Sequence, residues 1–187
     1  MSAVLKNLYP YTQPSFSLQN RLARIAWGIV YTFVFRTSPR PFHSWRSFLL
    51  RSFGAKLGKG CHVYPKAQIW TPWNLVMADY AGIADDVNCY SIAVVSLGKK
   101  VVVSQGAYLC TGTHDYEDPN FQLYAKPIYV EDNAWLCAES FIAPGVTIGE
   151  GCVIGARSVV TKNMPAWKVC AGNPCKPIKP RLVNSCR

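Results

Sequence analysis

The chain has 187 residues, of which 50% are hydrophobic, and its formal net charge is +10 at pH 7. This composition suits one domain with a continuous core and excludes a disordered chain. All of the excess charge lies in residues 1–78, which contain ten basic and no acidic side chains, whereas residues 79–187 contain ten of each. The asymmetry predicts an anionic partner for the N-terminal part. Because its basic residues alternate with Trp, Phe and Leu, we favour a membrane surface over nucleic acid, with simple solvation of packed helices as the alternative.

The sequence shows no segment that is long and apolar enough to span a bilayer. Its most apolar stretch, residues 25–35, has 11 residues between two arginines, whereas a spanning helix needs about 20. The pattern of a secretory signal is also missing. No pair of cysteines is spaced C-x-x-C, and five cysteines fall at repeat positions that favour a small side chain (Cys61, Cys89, Cys110, Cys137 and Cys152). We therefore expect buried, reduced thiols in a cytoplasmic protein.

Two helices are predicted before the repeat begins. Residues 1–14 hold two prolines and no apolar period, which indicates an irregular leader. An aromatic-rich helix is expected over about residues 17–35, with Ser17 as its N-cap. A second helix, over residues 42–53, would place Arg46 and Arg51 away from one apolar stripe formed by Phe42, Trp45, Leu49 and Phe53. We expect residues 1–56 to cap the lower end of the repeat, and the aromatic face is the candidate for membrane contact.

A six-residue repeat organises residues 57–165. Six uninterrupted hexads over residues 130–165 each begin with an aliphatic residue and carry a mostly small residue four places on. This period, with turn-formers such as Pro144-Gly145 between the aliphatic residues, is typical of a parallel β-helix and does not fit an α-helix. Each hexad predicts one strand and one corner, three hexads predict a coil, and coils stack about 4.8 Å apart.

The repeat can be followed backwards through three interruptions. The predicted heads make fifteen hexads, or five coils: Leu57, Val63, Ile69, Met77, Ile83, Cys89, Leu97, Val103, Leu109, Val130, Leu136, Ile142, Ile148, Ile154 and Val160. Every interruption follows the third hexad of a coil, so all of them are predicted at one edge of the prism. Insertions in a solenoid collect on its binding side. The longest one, a protruding loop at residues 115–129, therefore marks the edge where a ligand is expected.

His114 is the candidate catalytic residue because it lies where the third coil enters this loop. A single imidazole there suits a general base, which takes the proton of an alcohol as it attacks an acyl group. His43 and His62 are interpreted as structural or solvated, and Ser140 and Ser158 as core residues. No close-spaced histidine pair indicates a metal site. The alternative for His114 is an ordinary surface-loop histidine. The tail over residues 166–187 and the preceding corner carry cations that suit a phosphate-bearing ligand, with solvated tail charge as the alternative: Lys162, Lys168, Lys176, Lys179 and Arg181.

Several motifs together resemble the hexapeptide-repeat acyltransferases, in particular their sugar O-acetyltransferase branch. They are T-G-T-H-D at 111–115, D-N-A-W-L at 132–136, A-P-G-V-T-I-G-E-G at 143–151, V-I-G-A-R-S-V-V-T-K at 153–162 and A-G-N-P-C-K-P-I at 171–178. Residues 57–182 as a whole resemble the colanic acid biosynthesis acetyltransferases. The repeat alone is shared by many activities, whereas the T-H-D loop followed by D-N-A-W and G-N-P is much more specific.

The resemblance implies a left-handed parallel β-helix, a homotrimer with active sites between subunits, and acetyl-CoA as the donor. It implies that His114 is the base, that Trp135 lies in the active site, and that the backbone N–H of Ala138 stabilises the oxyanion. It also implies four further contacts to CoA, at Ala156, Thr161, Lys162 and Lys179. The hexads add one independent point. His114 ends a third-face hexad and Trp135 a first-face hexad, so a shared site would need two subunits.

The acceptor is the least determined part of the expected function. Ala84 stands where the galactoside enzymes carry an acceptor-binding asparagine, so that binding mode does not transfer. The neighbouring polar residues are candidates for contacts with sugar hydroxyls: Asp85, Asp86, Asn88 and, in the long loop, Tyr116. The alternative for the first three is that they are turn residues. We expect O-acetylation of a free or lipid-linked sugar. The alternatives are N-acetylation of an amino sugar and a non-catalytic trimeric scaffold. A role like that of γ-carbonic anhydrase is disfavoured because the sequence lacks the histidine ligands that its metal would need. We expect the protein in the cytoplasm, in a peripheral position at the inner face of the membrane.

Overall fold

The computed structural model describes Val4 and residues 12–183, so the expected leader at residues 1–14 lies mostly outside the described residues. Two helices, α1 (Leu18–Val30) and α2 (His43–Ser52), precede a stack of short parallel strands. A five-residue π-helical turn, Tyr31–Phe35, extends α1, and a 3-10 turn, Pro72–Asn74, follows the first coil. The order of elements agrees with the fold class predicted from the repeat.

Three parallel sheets form the faces of a prism. The first face contains β1 (Lys56–Leu57), β4 (Leu75–Met77), β7 (Val95–Leu97), β12 (Ile128–Val130) and β15 (Thr147–Ile148). The second contains β2 (His62–Val63), β5 (Gly82–Ile83), β8 (Val102–Val103), β13 (Trp135–Leu136), β16 (Val153–Ile154), β18 (Lys168–Gly172) and the antiparallel β19 (Cys175–Pro180). The third contains β3 (Gln68–Ile69), β6 (Asn88–Tyr90), β9 (Tyr108–Cys110), β14 (Phe141–Ile142) and β17 (Val159–Val160).

The strand register confirms the predicted hexad heads. On the first face Leu57 pairs with Met77, and the series continues through Leu97, Val130 and Ile148. The heads of the other two faces pair coil to coil in the same way. All heads are buried except the half-buried Leu57. Each inward position is covered by its equivalents above and below, so one aliphatic residue in six is enough to build a continuous core.

Corners are formed by a residue with positive φ followed by a small buried side chain. Gly151 shows why glycine is needed at one of them: its φ is +61°, and a Cβ there would lie 2.5 Å from the ring of Trp167. Cys152, which follows, is fully buried. The seven cysteines among the described residues are all free, although Cys110 and Cys137 are half-buried and not fully buried as expected.

The interruptions lie at the edge between the third and first faces, as predicted. The longest contains a β-hairpin formed by β10 (Gly112–His114) and β11 (Leu123–Ala125), so the expected loop at 115–129 is partly regular. Hydrogen bonds between hydroxyls and backbone stack the three insertions on one another. Thr71 Oγ1 donates to the carbonyl of Ser91, and Thr111 Oγ1 accepts from the N–H of Ala93 (3.0 Å). This edge is consequently a fixed platform for the hairpin.

The inner side of α1 packs against the first coil. Ser17 caps the helix, as predicted, by accepting from the N–H of Asn20 (3.2 Å). Trp27 is 3% exposed and donates its Nε1–H to the carbonyl of Ile69 (2.6 Å), and its ring packs against Phe35. Buried aromatic side chains with a bonded N–H contribute strongly to packing. The helix therefore joins the core of the β-helix through this face.

The buried face of α2 differs from the predicted stripe. Leu49 is buried as expected, but Phe42 and Trp45 are 51% and 41% exposed, and Arg46 is fully buried. Arg46 Nε–H donates to the carbonyl of Val63 (2.6 Å), while its two terminal nitrogens donate to the 38–40 turn. A buried arginine is tolerated where carbonyl and hydroxyl oxygens occupy its donors. The stripe prediction was wrong because the turn before α2 supplies those oxygens.

An apolar stripe on the outer side of α1 has no partner among the described residues. Its five side chains are 56% to 72% exposed and lie four or three residues apart: Leu18, Leu22, Ile25, Ile29 and Phe33. Phe42, Trp45 and Phe48 are also exposed. We call these eight residues the exposed apolar surface. Within residues 12–183 the structure contains no helix long and apolar enough to cross a membrane.

Candidate active site

The hairpin that follows β9 holds His114 at its outer end. β10 and β11 pair Gly112 with Ala125 and His114 with Leu123, and the Asp115 N–H donates to the carbonyl of Gln122 (2.9 Å). The tip is closed by its own carboxylates, since Asp115 Oδ1 accepts from the N–H of Glu117 (3.1 Å). These acidic side chains, which the sequence placed beside His114, therefore stabilise the turn that presents it.

The imidazole of His114 is fixed in one orientation and one tautomer. Its Nδ1 lies 2.8 Å from the carbonyl oxygen of Phe121, and its ring stacks on the Phe121 ring at 4.4 Å between centroids and 8° between planes. A carbonyl oxygen can only accept, so Nδ1 carries the hydrogen, and in the neutral imidazole Nε2 is then the nitrogen with the lone pair. His114 is exposed, and a hollow beside it is lined by Tyr116, Tyr124 and Lys126. The geometry suits proton abstraction at Nε2 by a neutral imidazole.

Trp135 lies on a different face of the prism from His114. It begins the second-face strand β13, so its assignment to the end of a first-face hexad was wrong. The second face starts one residue earlier than predicted because the corner of the coil falls at Asn133 and Ala134. The indole is 44% exposed, and its Nε1–H donates to Ser104 Oγ (2.9 Å). The conclusion that His114 and Trp135 occupy different parts of one chain is unchanged.

Ala138 lies at the corner between the second and third faces. Its carbonyl accepts from the N–H of Arg157 (3.0 Å), and no acceptor among the described residues is bonded to its own N–H. Pro65 occupies the equivalent corner of the first coil. His62 is the register equivalent of Trp135, through Gly82 and Val102, and Pro65 and Ala138 each lie three residues further along the chain. The N–H at this position is therefore not needed by the coil and is available to a ligand.

The candidate CoA contacts lie in the upper part of the stack. Ala156 occupies the same corner as Ala138, one coil further, and is exposed. Thr161 and Lys162 are exposed after β17, at the corner between the third and first faces, and Lys179 is exposed on β19. Arg181, by contrast, donates to the carbonyls of Asn133 and Gly151 (2.9 Å each) and so supports the coil.

The four acceptor candidates do not form one cluster. Asp85 Oδ1 accepts from the Lys66 N–H (3.0 Å), as Asp79 and Asp132 do at other corners, and its other oxygen pairs with Arg40 (3.3 Å). Asp86 has a φ of +61° at the same corner. Tyr116 is 83% exposed beside His114, and Asn88 faces outward on the third face. Asp85 therefore has a structural role, and Asn88 belongs to a different feature.

That feature is a groove of about 500 Å³ between α1 and the third face, which sequence reasoning missed. Its β-helix side is lined by Gln68, Trp70, Asn88, Tyr90 and Tyr108. We call it the third-face groove. The sequence feature that indicates it is an aromatic residue next to each third-face head in three successive coils. Trp70 and Tyr90 directly follow their heads, and Tyr108 directly precedes its head. Successive rings are 5.1 Å and 6.4 Å apart between centroids.

His43 and His62 pack against each other, with His43 half-buried and His62 exposed, in line with their interpretation as structural or solvated. Their rings stack at 4.6 Å, and His43 Nδ1 lies 3.1 Å from the carbonyl of Val63. Burial lowers the pKa of His43, with neighbouring Arg46 acting in the same direction. Over residues 12–183 no group of three or more His, Cys, Asp or Glu side chains is arranged to hold a metal ion.

Sequence comparison places these features in a known family. The profile of the bacterial transferase hexapeptide (six repeats) matches residues 127–162. Over 156 residues the chain is 46% identical to WcaF of Escherichia coli strain K12, whose name assigns it to colanic acid biosynthesis as an acetyltransferase. This match covers 83% of the chain and 86% of the relative.

Two solved structures share the fold. A hexapeptide-repeat containing acetyltransferase of Vibrio cholerae O1 biovar eltor, in complex with acetyl-CoA, has a TM-score of 0.80 at 22% identity, covering 89% of this chain and 91% of that one. A maltose O-acetyltransferase of Clostridium difficile 630 has a TM-score of 0.76 at 24% identity, covering 92% and 90%. At these identities the two structures establish the fold alone, a left-handed parallel β-helix. The 46% identity to the E. coli relative over 83% of the chain, together with the profile match, shows that the chain belongs to the hexapeptide-repeat acetyltransferases.

Proposed function

We propose that this protein transfers an acetyl group from acetyl-CoA to a hydroxyl group of a sugar destined for a surface polysaccharide. The observation that carries the proposal is the geometry of His114, whose Nδ1 is bonded to the Phe121 carbonyl so that Nε2 can accept a proton. Three relatives support it. The Vibrio structure holds acetyl-CoA, the Clostridium protein is named for maltose, and the E. coli protein is named for a polysaccharide.

Direct transfer is the proposed mechanism. His114 Nε2 accepts the proton of the sugar hydroxyl while the hydroxyl oxygen bonds to the thioester carbonyl carbon. The Ala138 N–H donates to the resulting oxyanion, and His114 returns the proton to the sulfur of CoA when the C–S bond breaks. An acyl-enzyme is not required. Ser140 is buried, and burial raises the pKa of the adjacent Cys137 thiol, so that neither is an activated nucleophile at neutral pH.

Five side chains or corners are proposed to bind the CoA part of the donor. Trp135 offers an indole face that is 44% exposed, and Ala156 offers a small corner next to Ala138. Lys162 and Lys179 are exposed cations near the top of the stack and suit phosphate groups, with Thr161 as a neighbouring hydroxyl. Ala138 and Ala156 would then contact the donor at the corner between the second and third faces, and Thr161 and Lys162 would contact it from the corner between the third and first faces.

A homotrimer is proposed because the two halves of this site lie apart in one chain. His114 is held on the insertion edge between the third and first faces, whereas Ala138 lies at the corner between the second and third faces. An oxyanion donor must lie about 3 Å from the reacting oxygen. Packing of a second copy against the first would bring the His114 hairpin of one to the Ala138 corner of the other.

A peripheral position at an anionic membrane surface, on the cytoplasmic side, is proposed from the exposed apolar surface. Scattered apolar side chains are ordinary on a protein surface, but a contiguous stripe marks an interaction site. The same part of the chain, residues 1–78, carries ten basic and no acidic side chains. An amphipathic helix of this kind lies in the membrane interface with its apolar side in the acyl region. A lipid-linked saccharide would be accessible from there.

Thiol release from acetyl-CoA tests the proposed function. Wild type and His114→Ala are compared with a panel of sugars, amino sugars and nucleotide sugars, after their masses and CoA affinities have been measured. Loss of the base should lower kcat by about 10²- to 10⁴-fold with a hydroxyl acceptor. CoA affinity should stay within the error of wild type, because His114 is placed on the acceptor proton and not on the donor.

Three outcomes would contradict the proposal. Turnover with amino sugars alone would assign N-acetylation, and full activity of His114→Ala would show that His114 is not the general base. Absence of CoA binding by the folded wild-type protein would favour a non-catalytic scaffold.

A further inference from the structure

We propose that the third-face groove binds the pyranose rings of the acceptor saccharide beside the base that acts on it. This inference rests on the proposed function, since it locates the substrate of that reaction. The groove lies between the inner side of α1 and three strands of the third face, and its volume of about 500 Å³ is the size of a small-ligand site. A pyranose has one apolar C–H side and a rim of hydroxyls, so it needs flat aromatic walls and unpaired polar groups.

The aromatic wall supplies the flat surfaces. Trp70, Tyr90 and Tyr108 are half-buried and line the groove, each tilted nearly perpendicular to the next. Aromatic rings with polar edges contact ligands that have one apolar and one polar side. Burial raises the pKa of Tyr90, and it raises the pKa of Tyr108 to about 12. Both hydroxyls therefore remain hydrogen-bond donors throughout the neutral range.

Two side-chain amides supply the polar groups. Gln68 and Asn88 are register partners on adjacent strands, and both line the groove. Among the described residues neither amide group is hydrogen-bonded to a protein atom. Each amide has one acceptor and two donor hydrogens, which matches the alternating demands of neighbouring sugar hydroxyls. Such paired groups, placed between aromatic walls, give a pocket its specificity.

Gly28 keeps the helix side of the groove open. It lies inside α1, where glycine is about 1 kcal/mol less favourable than alanine, and its φ does not require glycine. A Cβ built on Gly28 would meet no heavy atom within 4 Å, so packing does not require glycine either. The remaining consequence of the glycine is empty space in the groove, which Gly28 lines together with the aromatic side chains of the third face.

The groove adjoins the hairpin that carries the base. A Cβ on Gly112 would lie 3.3 Å from Tyr90 Cε1, so the ring that lines the groove contacts β10 two residues before His114. On the helix side, the Arg24 guanidinium stacks over Trp70 at 4.4 Å. A cation there suits a phosphate on the anomeric carbon, which nucleotide sugars and lipid-linked sugars share.

The test uses Gly28→Leu, with Gly28→Ala as its matched control. Leucine is a better helix former than glycine, and its Cβ would meet no heavy atom within 4 Å, so the midpoint of thermal unfolding should not fall. Maltose, methyl β-galactoside and UDP-glucose are titrated into full-length wild type and both variants by calorimetry, and a separate titration follows CoA. The UDP-glucose arm separates a phosphate requirement from recognition of the sugar alone.

For the probe that wild type binds best, we expect Gly28→Leu to weaken the affinity by at least about tenfold, equivalent to 1.4 kcal/mol. Gly28→Ala should stay within about threefold, and CoA affinity should be unchanged in both variants. Asn88→Ala, which removes one amide without filling the groove, should also weaken the same probe.

Wild-type affinity in Gly28→Leu would overturn the proposal, as would saturable binding of none of the three probes to wild type. A change in oligomeric mass on Gly28→Leu would also overturn it by assigning the groove to a contact between copies. Failure of the proposed function is distinguishable. If a probe binds in the groove but supports no thiol release, the groove is a sugar site and the proposed reaction is wrong. If Gly28→Leu does not change turnover, the reaction stands and the groove is not the acceptor site.

Discussion

The β-helix and the two N-terminal helices bury their side chains by opposite rules. In the coils, one aliphatic residue in six is inward and is covered by its equivalents above and below. In the helices, a charged Arg46 is fully buried while Leu18, Ile25 and Phe33 are more than 60% exposed. In the coils, the position of a residue in the repeat decides whether it is buried. In the helices, burial depends on which part of the protein each side of the helix packs against. The candidate functional residues of this protein therefore lie at positions that the repeat leaves free.

The largest expected effect is at a corner of the coil. Ala138→Pro removes the N–H proposed for the oxyanion, and the coil should tolerate it because Pro65 occupies the equivalent corner. Loss of one such donor should lower kcat by about 10²- to 10³-fold. Gln105→Pro, at the same corner in the third coil, is the matched control and should keep both activity and melting temperature. Equal kcat values for the two variants in the thiol-release assay would contradict the oxyanion role.

Burial of a charge in the helical region gives the next effect. Arg46→Met would remove the guanidinium hydrogen bonds to the carbonyls of Val63, Pro39 and Arg40, although His43 Nδ1 and the Phe42 N–H still lie on the first two. Because a hydrogen bond to a charged group contributes about 1.5–3 kcal/mol, we expect the free energy of unfolding to fall by about 3 kcal/mol. Arg51→Met, on the exposed side of α2, should cost under about 1 kcal/mol. Urea denaturation measures both, and equal losses would show that burial of Arg46 contributes nothing.

The smallest effect concerns the outer side of α1. The triple variant Leu22→Glu, Ile25→Glu and Ile29→Glu should bind phosphatidylglycerol vesicles at least about tenfold more weakly, because apolar area and positive charge act together at the interface. Thermal stability and kcat with a soluble acceptor should not change, since all three side chains are more than half exposed. Sedimentation with anionic and neutral vesicles gives the measurement. Unchanged vesicle binding, or a change in oligomeric mass, would assign this surface to another partner.

The sequence predicts the coils better than the helices for a physical reason. Heads such as Ile83 and Ile142 were predicted individually because each inward position must match its neighbours in the adjacent coils. Ser17 was predicted as a cap from local chemistry alone. The burial of Arg46 depends on oxygens that the 38–40 turn brings together, and no periodicity contains that information.

The candidate site was only partly predictable. His114 was singled out by its place at the insertion edge, but its tautomer depends on the Phe121 carbonyl across the hairpin, which the sequence does not indicate. Asp85 was chosen as a polar residue near the expected acceptor and is occupied by Lys66 and Arg40. The third-face groove was missed because it needs α1 to pack across strands that are distant in sequence.

Subunit complementation tests most directly whether His114 of one copy acts at the Ala138 corner of another. His114→Ala and Ala138→Pro are co-expressed with different affinity tags, and trimers that carry both tags are isolated. Each mixed trimer would contain one site with both groups intact, so its kcat should be about one third of wild type. Activity no higher than that of either parent variant would contradict a site shared between subunits.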